Sequence, residues 1–214
     1  MERYPSRVAN VNGTRRQQQA LATREEIFRR AEILFLENGY VATTIDAIAR
    51  EAGVAVQTIY NSVGSKAAIL NTILERIVTG TDASVTVSEI MSARVADAAD
   101  LPAAVQVLAD WMVEFNERAG AVFAVLKQAA AVDPEIGRLD RMRSRRRLQN
   151  YGRAAAQFRQ RGAIPSGTSD AEMAASIWAI GHPEVYTALV VEAGWTVDAY
   201  RRWVSGALAR LMIP

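Results

Sequence analysis

The sequence predicts an all-α protein with a small N-terminal domain and a larger C-terminal one. Three observations carry this. Apolar residues recur at helical spacing from residue 67 to the end, and no stretch alternates as a strand would. Glycine and proline fall between the periodic segments, as punctuation. The stretch Thr43–Lys66, TTIDAIAREAGVAVQTIYNSVGSK, reads as a helix, a sharp turn at Gly53 and a second short helix, the outline of a helix-turn-helix. The expected division is a flexible basic arm over 1–20, a helix-turn-helix DNA-binding domain over 21–66 and a helical ligand-binding and dimerisation domain over 67–214.

The arm is poor in apolar periodicity and carries Arg3, Arg7, Arg15 and Arg16. Disorder with a weak electrostatic contribution is the expectation for such a terminus. The first helix is then predicted to start at a capping box formed by Thr23 and Glu26, to bury Ile27, Ala31, Leu34 and Phe35 on one face, and to end at Gly39.

In the corner itself, Thr44 (or Thr43) is placed to cap the first helix and Asp46 to meet the positive end of its dipole. Ile45, Ile48, Ala49 and Ala52 form a small buried face, continued by Ile59 and Val63 in the second helix. Gly53 stands where a left-handed backbone is needed. Val56, Gln57, Thr58, Tyr60, Asn61 and Ser62 are left facing outward. That set suits a DNA groove. The amides of Gln57 and Asn61 match an adenine edge, and Val56 a thymine methyl. The hydroxyls of Thr44, Thr58, Tyr60 and Ser62 suit phosphate oxygens, and Lys66 adds a cation for the backbone.

These residues also resemble a known family. ENGY, then TTIDAIAREAGV, then T-I-Y within QTIYNSV, then SK occur in the order and at the separations of the TetR (tetracycline-repressor) family of bacterial transcription regulators, over residues 23–70. Two positions depart from the usual pattern. Ala55 replaces a common Ser, removing a cap on the second helix, and Val63 replaces a common Phe, reducing the volume that packs the corner. The resemblance implies a homodimer on a near-palindromic double-stranded operator, a small-molecule effector held in the C-terminal domain, and a cytoplasmic repressor released by that effector. A DNA-binding activator or architectural regulator that needs no ligand is the alternative.

Beyond residue 67 the expected helices follow local signals. One runs through Ile69, Ile73 and Ile77 and frays near Gly80; Val85, Val87, Ile90, Met91 and Val95 offer a weaker one. A helix opens at Leu101-Pro102 and is expected to break at Gly120, with Val122 and Phe123 opening another. Asp133-Pro134-Glu135 combines a cap, a first-turn proline and an acid, and starts a helix reaching about Gly162. Ser169 starts the next, which stops at Gly181-His182-Pro183; segments 185–191 and 197–213 complete the chain.

Trp111, Phe115, Phe123, Met142, Tyr151 and Trp178 are candidates to line a pocket, although each alone also reads as ordinary core. Val185, Leu189, Trp203, Leu208 and Leu211 offer apolar surface for a twofold contact. Nine arginines between Gly137 and Gly162 face one acid, Asp140. They are expected to spread around a solvated helix and to pair with acids such as Glu172, Glu184 and Glu192.

Composition bounds the rest. The 214 residues carry a formal charge of only +2, so an anionic partner must be met by local charge. There is no cysteine and one histidine, His182, which removes thiolate chemistry and leaves no visible metal-ligand set. No apolar run approaches a membrane span, and no cofactor is expected. An all-α enzyme would need a constellation of acid, base or metal ligands that the sequence does not display.

Overall fold

The computed structural model describes residues 9–79, 87–165 and 167–213, of which the side chains of 9–14, 79, 87 and 88 are not described. Among the described residues every regular element is a helix. They run α1 (Ala9–Ala42), α2 (Ile45–Glu51), α3 (Val56–Ser62), α4 (Lys66–Thr79), α5 (Val87–Ala96), α6 (Leu101–Val132), α7 (Pro134–Gln160), α8 (Asp170–Ile180), α9 (Pro183–Tyr186), a π-helical stretch (Thr187–Glu192) and α10 (Val197–Met212). The chain divides into two compact units, Met1–Ile73 and Leu74–Pro214, and passes from one to the other inside α4.

The first unit is built from α1, α2, α3 and the opening turns of α4. Ile27, Phe28, Ala31 and Phe35 of α1 are buried with Ile48, Ala49, Ile59, Ala67, Ile69 and Leu70. The regular part of α1 stops at Gly39, whose φ of 74° suits glycine. Tyr40, beyond this kink, stacks on Phe35 with ring centroids 5.7 Å apart.

Two expectations fail at the start of this unit. The helix begins by Ala9, so residues 9–20 are not an unstructured arm; the earlier arginines Arg3 and Arg7 lie outside the described residues. Gln17, Gln18, Gln19, Ala20, Leu21 and Ala22 are good helix formers, and they carry the helix upstream. Thr23 and Glu26 are therefore no capping box. The Thr23 hydroxyl donates to the Gln19 carbonyl, and Glu26 holds Arg29 and Arg30 at 2.6 and 2.8 Å.

The second unit packs around α6, which touches α5, α7, α9 and α10, while α8 covers α7 and α10. Asp133 starts α7 as expected, accepting from the N–H groups of Glu135 and Ile136. Ser169 and Glu172 form a reciprocal capping box on α8. The expected break at Gly120 is absent. This glycine is buried inside an unbroken α6, and an added Cβ would stand 3.3 Å from the Tyr186 ring. Gly120 is there for a close crossing, and the neighbouring helical residues absorb its low propensity. The segment expected as one helix over 185–191 is split into α9 and the π stretch, where the N–H of Ala193 reaches back to Ala188 O.

A buried amide fixes this unit's interior. Asn116 Nδ2 donates to Tyr200 Oη at 3.0 Å and to Gly181 O at 3.3 Å, tying α6 to α10 and to the end of α8. Each bond is worth about 1 kcal/mol net, and leaving a partner unmet would cost more.

Candidate functional site

The corner between α2 and α3 is assembled from local chemistry. Thr44 caps α2 by accepting from Ala47 N at 3.1 Å, and Asp46 lies in the first turn. Thr43 takes a different part: it is buried and donates to the carbonyls of Leu34 and Gly39, fastening α2 to α1. Gly53 has φ 66° and turns the chain. Ala55 opens α3 with no side-chain cap. Ile59 is fully buried beneath α3.

Over that anchor, Gln57, Tyr60 and Asn61 are exposed, and Val56, Thr58 and Ser62 are half-buried. Tyr60 is 52% exposed, so its ring and hydroxyl are open to a partner. Gln57 Nε2 donates to Asn61 Oδ1 at 3.0 Å, so the two amides form one unit along the helix. The free faces of that pair still offer donors and acceptors to a base edge.

Lys66 departs from expectation. Its ammonium donates to Tyr40 O and Thr43 O, both at 2.8 Å, and lies 4.2 Å from the centre of the Tyr40 ring. This corrects the expectation of a cation held out for the DNA backbone. The lysine closes the carbonyl-rich end of α1 from within the domain. Its acceptors lie 26 and 23 residues earlier in the chain, out of reach of any local pattern.

A cavity of about 80 Å³, open on one side, lies within the second unit. Met91 and Val95 come from α5, Leu108 and Trp111 from α6, and Arg147 and Tyr151 from α7. Arg147 is the unusual wall. Its Nε and Nη2 are buried without a hydrogen-bond partner in the protein, and its guanidinium lies 4.8 Å from the Phe123 ring centre. Burial is the largest influence on this group and lowers its pKa; the charges of Tyr151, Asp140 and Glu184 pull it back up. Neither nearby acid meets Nε or Nη2, and Asp140 Oδ1 is itself buried without a hydrogen-bond partner. Asp140 Oδ2 accepts from Lys127 at 3.1 Å, and Glu184 leans on Lys127 and His182 at 3.7 Å. One turn before Arg147, Arg143 approaches Glu75 of α4 at 3.7 Å.

Residues 27–73 match the sequence family described as bacterial regulatory proteins, tetR family. The match ends where the first compact unit ends. Through this N-terminal domain the chain belongs to the family. As a TetR-family member it is a DNA-binding transcription regulator. No curated protein matches it in sequence. Solved TetR-like structures share its fold. NalD from Pseudomonas aeruginosa, the secondary repressor of a multidrug efflux pump, superposes with a TM-score of 0.69 at 19% identity, over 90% of this chain and 98% of that one. A putative TetR-family regulator from Syntrophomonas wolfei gives 0.71 at 22% identity, over 89% and 94%. A putative transcriptional regulator from Saccharomonospora viridis, solved with choline, gives 0.67 at 20%, over 89% and 97%.

Within this TetR-family chain the C-terminal expectations sort unevenly. Trp111 and Tyr151 line the cavity. Phe115 is buried between Trp111 and Phe123, stacking on the first and meeting the second edge-on. Phe123 borders a second hollow with Lys127 and His182, and Trp178 lies in a shallow surface depression with Leu189 and Trp203. Met142 is corrected: it is 60% exposed and stands among arginines on the outer face of α7. Leu208 is corrected too. It is fully buried in the core of the chain itself, whereas Val185, Leu189, Trp203 and Leu211 are only partly covered.

The arginines of α7 do not spread evenly. Arg138, Arg141, Arg145, Arg146 and Arg153 share one exposed face with Met142 and Gln149, while Arg143 and Arg147 turn inward. Sorting follows the helix repeat: Ile136, Asp140, Arg143, Arg147, Tyr151, Ala155 and Phe158 form the inner row. Of the expected acidic partners, Glu172 is taken by its capping box and Glu184 by Lys127; Arg159 pairs instead with Asp170 at 2.6 Å.

Proposed function

We infer that the protein is a repressor that binds a near-palindromic operator as a homodimer and leaves it when a small molecule enters the C-terminal unit. One observation carries the DNA half of this reading. Gln57, Tyr60 and Asn61 are exposed on a short helix anchored by the buried Ile59, in the segment that matches the family. Gln57 and Asn61 would read base edges, and Thr44, Thr58, Tyr60 and Ser62 would fix the helix on phosphates, with Val56 against a thymine methyl.

For the dimer, the support is a belt of incompletely covered apolar side chains: Val185, Leu189, Trp203 and Leu211, with Val191 69% exposed beside them. A twofold contact would bury this belt against its own copy and set the spacing of two recognition helices about one DNA turn apart. No described helix is long and apolar enough to cross a membrane.

For release, the support is the cavity between α5, α6 and α7, one turn of α7 from the contact of Arg143 with Glu75 on α4. A ligand that takes Arg147 would shift the balance between two positions of α4. It does so only if it binds the non-operator state better, because equal affinity for both states shifts nothing. The narrow cavity favours a second reading, a regulator that needs no ligand.

The test is fluorescence anisotropy on duplex DNA from the region upstream of the gene, with scrambled duplex as competitor, followed by a ligand screen for release. Salt-sensitive binding that survives the competitor is expected, with one equivalent of dimer per duplex. Equal affinity for scrambled DNA would remove the specific-reader assignment, and operator binding unchanged by every ligand that binds would leave the ligand-independent regulator.

A further inference from the structure

We propose that Arg147 is the anchor for an anionic effector, and that this effector is a small aromatic carboxylate. The proposal rests on the cavity being the effector site and adds the chemistry of its occupant. Arg147 forms part of a wall that is otherwise chiefly apolar. A guanidinium is charged at every relevant pH, and burying it with donors unmet costs free energy that an incoming anion recovers. Two of its nitrogens, Nε and Nη2, are in that condition. They are adjacent donors of the planar fork, the pair that donates to both oxygens of one carboxylate.

The protein's own carboxylates do not fill this need. Asp140 Oδ2 is bonded to Lys127 while its buried Oδ1 meets no donor, Arg147 included, and Glu184 is 63% exposed and drawn to Lys127 and His182. The cation's existing neighbour is the Phe123 ring, a face that attracts the charge without satisfying any N–H. A carboxylate could therefore bond the fork while Phe123 continues to back it.

The remainder of the wall sets the body of the ligand. Trp111 and Tyr151 supply flat aromatic surface, and Leu108, Met91 and Val95 supply apolar surface. The volume of about 80 Å³ sets the size. A cavity that holds benzene measures about 150 Å³, larger than this one, so a single ring is the upper limit and enters only as Met91 moves aside, as a flexible methionine does. A cationic ligand is disfavoured by Arg147 itself, and a neutral one offers the fork weaker acceptors and no compensating charge.

The experiment uses the full-length protein and three probes of nearly equal shape: benzoate, benzamide and benzylammonium, with phenylacetate and salicylate added as further acids. Binding is measured by calorimetry for wild type, Arg147→Gln and Arg147→Lys, each shown to be folded by circular dichroism. Expected is binding of at least one of the three acids, at least tenfold weaker binding of benzamide than of benzoate where benzoate is the acid bound, and none of benzylammonium. Arg147→Gln should lose the acid at least tenfold, and Arg147→Lys should recover only part, since it restores charge without the fork. The proposal is overturned if none of the three acids binds at millimolar concentration, if benzamide matches benzoate, or if Arg147→Gln binds the acid as wild type does. Operator release is read in parallel. An acid that binds through Arg147 yet leaves the operator complex intact would remove ligand control while the anchor stands. Release by a neutral compound, with no acid bound, would remove the anchor and leave ligand control.

Discussion

Replacing Lys66 by Met separates two meanings of one lysine. The substitution keeps most of the apolar stem and removes the charge. In the structure the ammonium makes two hydrogen bonds of 2.8 Å, to Tyr40 O and Thr43 O, and lies over the Tyr40 ring. Hydrogen bonds involving a charged group contribute about 1.5–3 kcal/mol each. Because Lys66 is half-buried, the low end applies, and two bonds with a weak cation–π contact come to roughly 3 kcal/mol. Local opening of the first unit should then rise roughly a hundredfold. Hydrogen–deuterium exchange read by mass spectrometry should place the loss of protection in Tyr40–Lys66 and the flanking turns of α1 and α4. Operator affinity should fall through this loosening, with the salt dependence of binding nearly unchanged. A pure phosphate contact predicts the reverse: unchanged protection and a salt slope lower by about one. That pair of results would refute the capping role.

Three further perturbations test other parts of the structure. Gln57→Ala should cost ~1–3 kcal/mol on the cognate operator and narrow the gap to scrambled DNA, while Tyr60→Ala should weaken all sequences more evenly; competitive anisotropy distinguishes the two. Gly181→Ala would set a Cβ 2.6 Å from the sulfur of the buried Met112, so it should lower stability by about 1–3 kcal/mol, seen as an earlier thermal unfolding midpoint. Burial pushes the Tyr200 phenol from 10.0 up to about 12, with the Asn116 hydrogen bond pulling it partly back. The folded state therefore holds that proton more tightly, so the associated stability is complete below pH 10 and lost between about 10 and 12. Urea midpoints should fall across that window, and Asn116→Leu should move the Tyr200 ionisation seen at 295 nm still higher.

What the sequence made legible were the features decided within a few residues. Gly53 in its turn, the Asp133-Pro134-Glu135 start and the helix start at Ser169 are all settled by local backbone chemistry, and each stands where the pattern put it. Features decided by distant partners were not legible. Gly120 looks like a break until Tyr186 is seen across it, and Lys66 looks like a surface cation until its carbonyls are found in the preceding corner. The apolar row of α10 does not by itself say which residues face the chain's own core, and Leu208 proved to be one of these. The inner row of α7 is a different case. Its heptad-like spacing was present in the sequence, but the density of arginine on both faces concealed that two of them, Arg143 and Arg147, belong to it.

Those two arginines also yield the sharpest test of control. They occupy consecutive turns of α7, Arg147 on the cavity and Arg143 near Glu75 of α4. If ligand entry moves α7 at Arg147, the contact one turn away is the first link to α4 that must respond. Glu75→Gln removes its charge and leaves the shape. The side chain is 61% exposed, so the contact is worth no more than about 1 kcal/mol, and the fold should tolerate its loss. Set against a typical coupling of about 1–3 kcal/mol, that amount is a substantial fraction. The variant should therefore bind operator and ligand separately with little change, while the factor by which ligand weakens operator binding falls about two- to fivefold. Linkage requires the operator to weaken ligand binding by the same reduced factor, so titrations from both directions must agree. An unchanged factor in both would show that α4 is moved from some other face of the bundle, and would leave the cavity without this route to the recognition helix.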